Sequence, residues 1–241
     1  MRLRDFESGV EAASTPDAVW QVFSGYFAGT EIDRICYLHL PPPGAPDARE
    51  VRMRAEGFAE GLVTRYIEER HYRSNPVIAA ARHTLEPVYW ADAVASAGLS
   101  EEEREFVASY RAAGIGAGVG IPAFGPNGRD GQCGLGFAPG VRRLRPPVLR
   151  EYQWVCQLAH LRYCAILIPT LRPAPRLSGR ELEVLKWVAC GKSNGLIGDI
   201  LGISAHTVDA HVRRLCLKLG VSDRISAAVR GIGVGLVHAT M

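Results

Sequence analysis

The sequence predicts an α+β domain built on an antiparallel sheet, followed by a small all-α domain of four helices. Three observations carry that expectation. Up to residue 168 the patterns run helix, strands, helices, strands, long helix, an order that lays helices on a central sheet. From Ser178 onward only helical periodicity and helix punctuation remain. Between them Pro169-Thr170-Leu171-Arg172-Pro173-Ala174-Pro175 breaks both patterns, so the expected divisions are 1–168, a linker at 169–176, and 177–241.

The elements follow in order. A helix is expected at Asp17–Phe27 and a strand at Ile32–Leu40, rich in Ile, Cys, Tyr and Leu. Pro41–Arg49 holds four prolines and a glycine and is a loop. A short strand at Val51–Ala55 leads to a helix from Phe58 to His71, on which Phe58, Leu62 and Tyr66 recur at helical spacing. Asn75-Pro76 opens a further short helix, with proline in the first turn where no amide bond is lost. Val88-Tyr89-Trp90 is expected as a strand, and Ser100-Glu101-Glu102-Glu103 is a capping box for a helix ending near Ala113. Two extended stretches, Gly114–Phe124 and Gly131–Ala138, flank a turn at Pro126-Asn127-Gly128, and a long helix runs from Pro147 to Ile166. The glycine run 114–120 is not a dinucleotide fingerprint, because Pro122 and a turn follow where a helix N-terminus must hold phosphates. Glycines there let strand backbone pass close to a neighbour or ligand.

Composition bounds the function. Hydrophobic residues make up 47% and charged residues 22%, ordinary for a globular chain. The net charge of +3 is unevenly placed: from Arg172 onward ten Lys/Arg face five Asp/Glu, whereas residues 1–171 carry 18 against 20. A polyanion-binding module joined to a non-binding one has this asymmetry. Six cysteines without a C-x-x-C pair are expected as reduced, buried side chains of a cytoplasmic protein, with no metal. No apolar run reaches a membrane-spanning length, and no membrane association is expected.

The tail is heavily punctuated. Ser178 and Glu181 form a capping box with Leu177 and Leu182 as its staple, and the helix stops at Gly191. Ser193 caps a second helix closed by Gly202, Ser204 caps a third ended by Gly220, and Ser222 is expected to cap a fourth reaching Leu236. Two helices joined by Gly202-Ile203-Ser204 make a helix-turn-helix. On the third helix Val208, Val212, Leu215 and Leu219 share one stripe that faces the core. The other side carries His206, Asp209, Ala210, Arg213 and Arg214, a polar face suited to a DNA major groove or to plain solvation.

Leu177-Ser178-Gly179-Arg180-Glu181, Glu183-Val184-Leu185, Ala189-Cys190-Gly191-Lys192-Ser193-Asn194, Leu201-Gly202-Ile203-Ser204, Thr207-Val208 and Lys218-Leu219-Gly220-Val221 together resemble the LuxR-type DNA-binding domain. The resemblance implies that Asp209 and Arg213 read bases and that Lys192, Thr207, Arg214 and Lys218 contact phosphates. One departure is Leu196-Ile197-Gly198 where the family commonly has Glu-Ile-Ala, which is expected to weaken that helix.

Residues 58–122 resemble the autoinducer-binding domain of acyl-homoserine-lactone receptors through Tyr66, Asn75-Pro76, Trp90, Phe106, Gly114-Ile115, Gly118 and Ile121-Pro122. The resemblance implies an α-β-α sandwich with the ligand between the sheet and the helices of Phe58–Ala81, and a homodimer on double-stranded DNA. Three polar anchors of the family are altered: Phe58 replaces a tyrosine, Leu62 a tryptophan and Asn75 an aspartate. Each lost buried hydrogen bond costs a polar ligand about 1–3 kcal/mol, so a small signal other than an ordinary lactone is expected. The alternative is a ligand-independent regulator or anti-activator whose cavity Phe58 and Leu62 fill. Two stripes are candidates for the dimer surface or for core: Leu149, Tyr152, Cys156, Ala159 and Tyr163, and the helix Ile225–Leu236. No catalytic set or cofactor motif is found, and His39, His71, His83 and His160 lack metal-ligand spacing.

Overall fold

The computed structural model describes residues 1–59, 61–81, 84–95 and 98–238; His83 lies outside them. The backbone divides into two compact units: Met1–Leu40 with Val51–Ile168, and Pro169–Met241, with which the loop Pro41–Glu50 groups.

In the first unit a helix absent from the sequence expectation comes first, α1 (Leu3–Ala12), which buries Phe6 and Val10 one turn apart. Thr15 then caps α2 (Pro16–Tyr26), its hydroxyl accepting from the Ala18 amide at 3.1 Å. Strands β1 (Ile32–Leu40) and β2 (Arg52–Glu56) follow. The next helix is shorter than its periodicity suggests, α3 (Leu62–Glu68), because Gly57 and Gly61 adopt left-handed backbone ahead of it. Asn75 starts α4 (Pro76–Ala81), its side-chain oxygen accepting from the Val77 amide at 2.9 Å. Strand β3 is only Val88–Tyr89, and Trp90, expected to close it, opens α5 (Trp90–Ala95) instead. The capping box at Ser100 holds α6 (Glu101–Ala112) as expected. Strands β4 (Gly118–Phe124) and β5 (Asp130–Phe137) meet at a turn where Asn127 is left-handed, and the long helix is α7 (Pro146–Leu167).

All strand pairs are antiparallel, in the order β2-β1-β5-β4-β3. Strand alternation divides the side chains between two faces. One face carries Ile35, Tyr37, Val119, Ile121, Cys133 and Leu135, all buried, and packs against α7. Tyr152, Val155, Cys156, Ala159 and Tyr163 of α7 are buried within this unit, so that stripe is core. Phe23 and Phe27 of the α2 end are also fully covered. Each such ring contributes about 1.5–3 kcal/mol by leaving water.

The opposite face is rich in glycine on β4 and β5. Gly118 pairs with Gly136 and Gly120 with Gly134 across β4 and β5. A β-carbon at Gly118 would stand 2.6 Å from the Trp90 ring, at Gly134 2.6 Å from the Cys36 sulfur, and at Gly120 2.3 Å from a Val77 methyl. The glycines therefore make room for Trp90 and α4 above the sheet, as the close-approach reading expected.

The second unit holds α8 (Gly179–Ala189), α9 (Asn194–Leu201), α10 (Ala205–Leu219) and α11 (Arg224–Gly233). Ser178, Ser193 and Ser204 cap the first three as expected, and Gly202 and Gly220 end α9 and α10 in left-handed geometry. The fourth cap is Asp223 and not Ser222: one Asp223 oxygen accepts from both the Ile225 and Ser226 amides. Leu182 is exposed, so Leu177 packs on the core without the staple partner expected for it. Val208, Leu215 and Leu219 are buried with Val184, Leu185 and Ile197, and Val212 packs on that cluster. Gly198 is buried where the turn passes closest, and a β-carbon there would lie 2.6 Å from the Ile203 carbonyl oxygen. The Leu-Ile-Gly departure is thus a close helix-to-turn contact and not merely a weak helix residue.

Glu181 joins two helices of this unit. It is buried, accepts from the Ser178 amide at 2.7 Å, and receives the Lys218 ammonium from the far end of α10 at 2.6 Å. Lys218, with the Ser178 amide, holds the carboxyl down at about 2, against an ordinary 4.5. A depressed carboxyl stabilises fully above 4.5, and that contribution drains away as pH falls from there towards 2. Glu181→Gln should cost this unit about 1–3 kcal/mol at neutral pH. Melting curves against pH should show the gap between parent and variant closing through that acid window.

Candidate ligand cavity and nucleic-acid interface

Between the glycine face of the sheet and helices α3 to α6 lies a cavity of about 420 Å³. That volume lies within the range of small-molecule sites. Six of the seven residues expected in it line its wall: Phe58, Leu62, Tyr66, Asn75, Trp90 and Phe106. Gly118 does not; it sits behind the Trp90 ring. Phe58 and Leu62 contribute to the wall and leave the interior open.

Polar groups in this wall are few. The Asn75 amide nitrogen donates to the Tyr66 hydroxyl at 3.0 Å, while its oxygen accepts from the Val77 amide. Both ends of the Asn75 amide thus have internal partners. Tyr66 is buried, and burial raises its pKa, so the phenol keeps its proton at neutral pH. Because its oxygen accepts from Asn75, that proton points to something else. Burial likewise pushes the Cys36 thiol up to about 12, which makes it a neutral, unreactive part of the wall.

Sequence reasoning missed Gln132, which lines the cavity from β5. It is 7% exposed, and its amide nitrogen has no hydrogen-bond partner among the described residues. The signal was present: Gln132 lies two residues before Gly134 and four before Gly136, so strand alternation puts all three on one face. Tyr110 was missed too; it packs on Phe106 with ring centres 4.2 Å apart.

On the other side of the sheet the fold gathers His39, His160 and Cys164, whose ligand atoms all lie within 4.8 Å of one another. Sequence spacing gave no hint of this convergence. His160 already uses both ring nitrogens, facing the Tyr37 hydroxyl at 2.7 Å and the Arg129 carbonyl at 2.9 Å. Burial lowers its pKa, so the neutral ring donates from Nε2 to Arg129 and accepts from Tyr37 at Nδ1. As arranged here, His160 is a hydrogen-bonded member of the core.

In the second unit, the turn at Gly202-Ile203-Ser204 sets α10 beyond α9 with its polar side outward. Arg213, Arg214 and His206 are exposed. Asp209 and Arg213 pair with each other one turn apart, Nε to carboxylate 2.9 Å, while the Arg213 side chain stays 70% exposed. The Thr207 hydroxyl lies 2.8 Å from that of the cap residue Ser204. Arg214 contacts His211 at 3.0 Å, and Lys192 is half-buried, with its backbone oxygen accepting from Arg224. Lys218, expected at a phosphate, has its ammonium on Glu181 and holds α10 to α8. On α11, Ile225, Val229 and Ile232 are exposed at helical spacing.

Comparison with known proteins agrees with this geometry. The model of the autoinducer binding domain matches residues 15–163, and that of bacterial regulatory proteins of the luxR family matches 175–230. An HTH-type transcriptional regulator of Sinorhizobium fredii, y4qH, is 31% identical over 195 residues, which span 80% of this chain and 58% of that protein. The transcriptional activator protein AnoR of Acinetobacter nosocomialis is 23% identical over 97% of this chain and 98% of its own. Escherichia coli SdiA has the same fold, with a TM-score of 0.72 at 20% identity over 97% of both chains. SdiA in complex with octanoyl-rac-glycerol matches at 0.69 and 20%, over 98% of this chain and 96% of that one. The chain belongs to the LuxR family of transcription regulators, with an autoinducer-binding type of ligand domain ahead of its helix-turn-helix.

Proposed function

We propose that this chain is a cytoplasmic, ligand-responsive regulator that binds a near-palindromic operator as a homodimer and senses a small signal other than a conventional acyl-homoserine lactone. It acts by binding and not by catalysis. The observation that carries the signal reading is the state of Asn75, whose amide is engaged by Val77 and Tyr66 where the family aspartate accepts a ligand N–H. Phe58 and Leu62 add two further lost anchors on the same wall. A lactone amide entering there meets no free carboxylate, and an unmatched buried N–H costs about 1–3 kcal/mol. The SdiA complex holds an acyl ester, which brings no amide N–H. The open cavity weighs against the filled-pocket alternative.

Asp209 and Arg213 are the proposed base readers, with His206, Lys192, Thr207 and Arg214 at the backbone; Lys218 serves them by positioning α10. The exposed row Ile225, Val229 and Ile232 supports pairing through α11. Half-sites then lie about one helical turn apart, roughly 34–36 Å.

Two measurements check this reading. Arg213→Ala should lose about 1–3 kcal/mol of discrimination between operator and unrelated DNA while keeping its melting temperature. Thermal shift with an acyl-homoserine lactone series should give no stabilisation near the 2.7 kcal/mol or so that a ligand at about 100 times its Kd supplies; a strong shift would overturn the non-lactone assignment.

A further inference from the structure

Resting on that reading of the cavity, we infer that Gln132 is a ligand-binding residue, and that the signal is an apolar molecule carrying two hydrogen-bond acceptors. Gln132 is more than nine-tenths buried, lines the cavity, and its Nε2 has no partner among the described residues. A buried amide donor without a partner is costly, and native structures keep few of them. Gly120 is part of the same arrangement: a β-carbon there would come within 2.6 Å of Nε2, so the bare strand is what lets the amide lie over it.

The second donor is Tyr66. Its oxygen is taken by Asn75, so its proton is the part left for a ligand. Asn75 holds its oxygen and one N–H in internal bonds to Val77 and Tyr66, and the neutral Cys36 thiol is a weak donor. Arg111 also touches the cavity but is exposed, so water already solvates it. The wall presents donors at Tyr66 and Gln132, with Tyr110 and Trp90 also along it, across a surface that is otherwise mostly carbon, as from Leu38, Met53 and Val77. Keto esters and other dicarbonyl compounds on an alkyl chain have this complementarity.

Three probes separate the possibilities on the full-length chain: ethyl 3-oxodecanoate with two acceptors, ethyl decanoate with one acceptor group fewer, and N-(3-oxodecanoyl)-homoserine lactone with an added N–H. Calorimetric titration of the parent should rank the keto ester about tenfold tighter than the plain ester, the worth of one hydrogen bond to a buried donor. Gln132→Leu should erase that tenfold gap while keeping plain-ester affinity, and Gln132→Glu should weaken keto-ester binding further. Without ligand, Gln132→Leu should melt at or above the parent temperature, because an unmatched buried donor has been removed; a residue whose amide supports the fold would lower it. An unchanged keto-ester preference in Gln132→Leu overturns the role of Gln132, and so does failure of the parent to bind either ester. If the lactone binds tightest yet loses affinity in Gln132→Leu, the donor role stands and the non-lactone reading falls.

Discussion

The first unit depends on a steric constraint: two glycine pairs facing each other across β4 and β5. A sheet face normally carries side chains that fill the layer above it. Here Gly118, Gly120, Gly134 and Gly136 remove them, and Trp90, Val77 and Gln132 move into the space. The cavity is what remains of that layer once an indole and one short helix have been laid on bare backbone. Glycine weakens a strand by about 0.5–1 kcal/mol a residue, and the opposite face offsets this with a fully packed layer of Val119, Ile121, Cys133 and Leu135 under α7. One sheet thus has a rigid side and a receptive side, divided by strand parity alone.

In the second unit the corresponding constraint is electrostatic. Glu181 is tied to its own cap at Ser178 and to Lys218 at the last turn of α10. A buried carboxylate tolerates that position only with such partners. The pair fixes the angle at which α10 leaves the core, and the buried stripe Val208, Leu215 and Leu219 fixes its roll. Charge and packing together leave Arg213 and Arg214 outward.

How much of this was legible follows from how local each signal is. Caps and glycine stops act within four residues, so the ends of α8, α9 and α10 could be placed from Ser178, Ser193, Ser204, Gly202 and Gly220. The inward stripe of α10 was equally plain. Helix α1 was not, because Arg2 gives it no side-chain cap and only Phe6 and Val10 mark its buried side. The ring of Trp90 suits strand or helix alike, and what decides is the bare sheet beneath it. The pairing of Lys218 with Glu181 is invisible in a short window because the two lie thirty-seven positions apart in the chain. Gln132 was hidden for a similar reason: its importance comes from a wall assembled by β1, α3 and α4, which no short window contains. The same distance conceals the meeting of His39 with His160 and Cys164.

With Arg213 as the proposed base reader, its internal pairing with Asp209 would bear on how the helix searches a genome. An exposed pair of this kind is worth about 0.3–0.5 kcal/mol, whereas a bidentate guanine contact supplies about 1–3. Matched sequence therefore opens the pair easily, and a lone phosphate competes for a guanidinium already half neutralised. On that proposal the carboxylate would act as a placeholder for the base, trimming the attraction of arbitrary duplex while taxing the correct site very little. Selectivity would then arise in part from what the unliganded helix withholds.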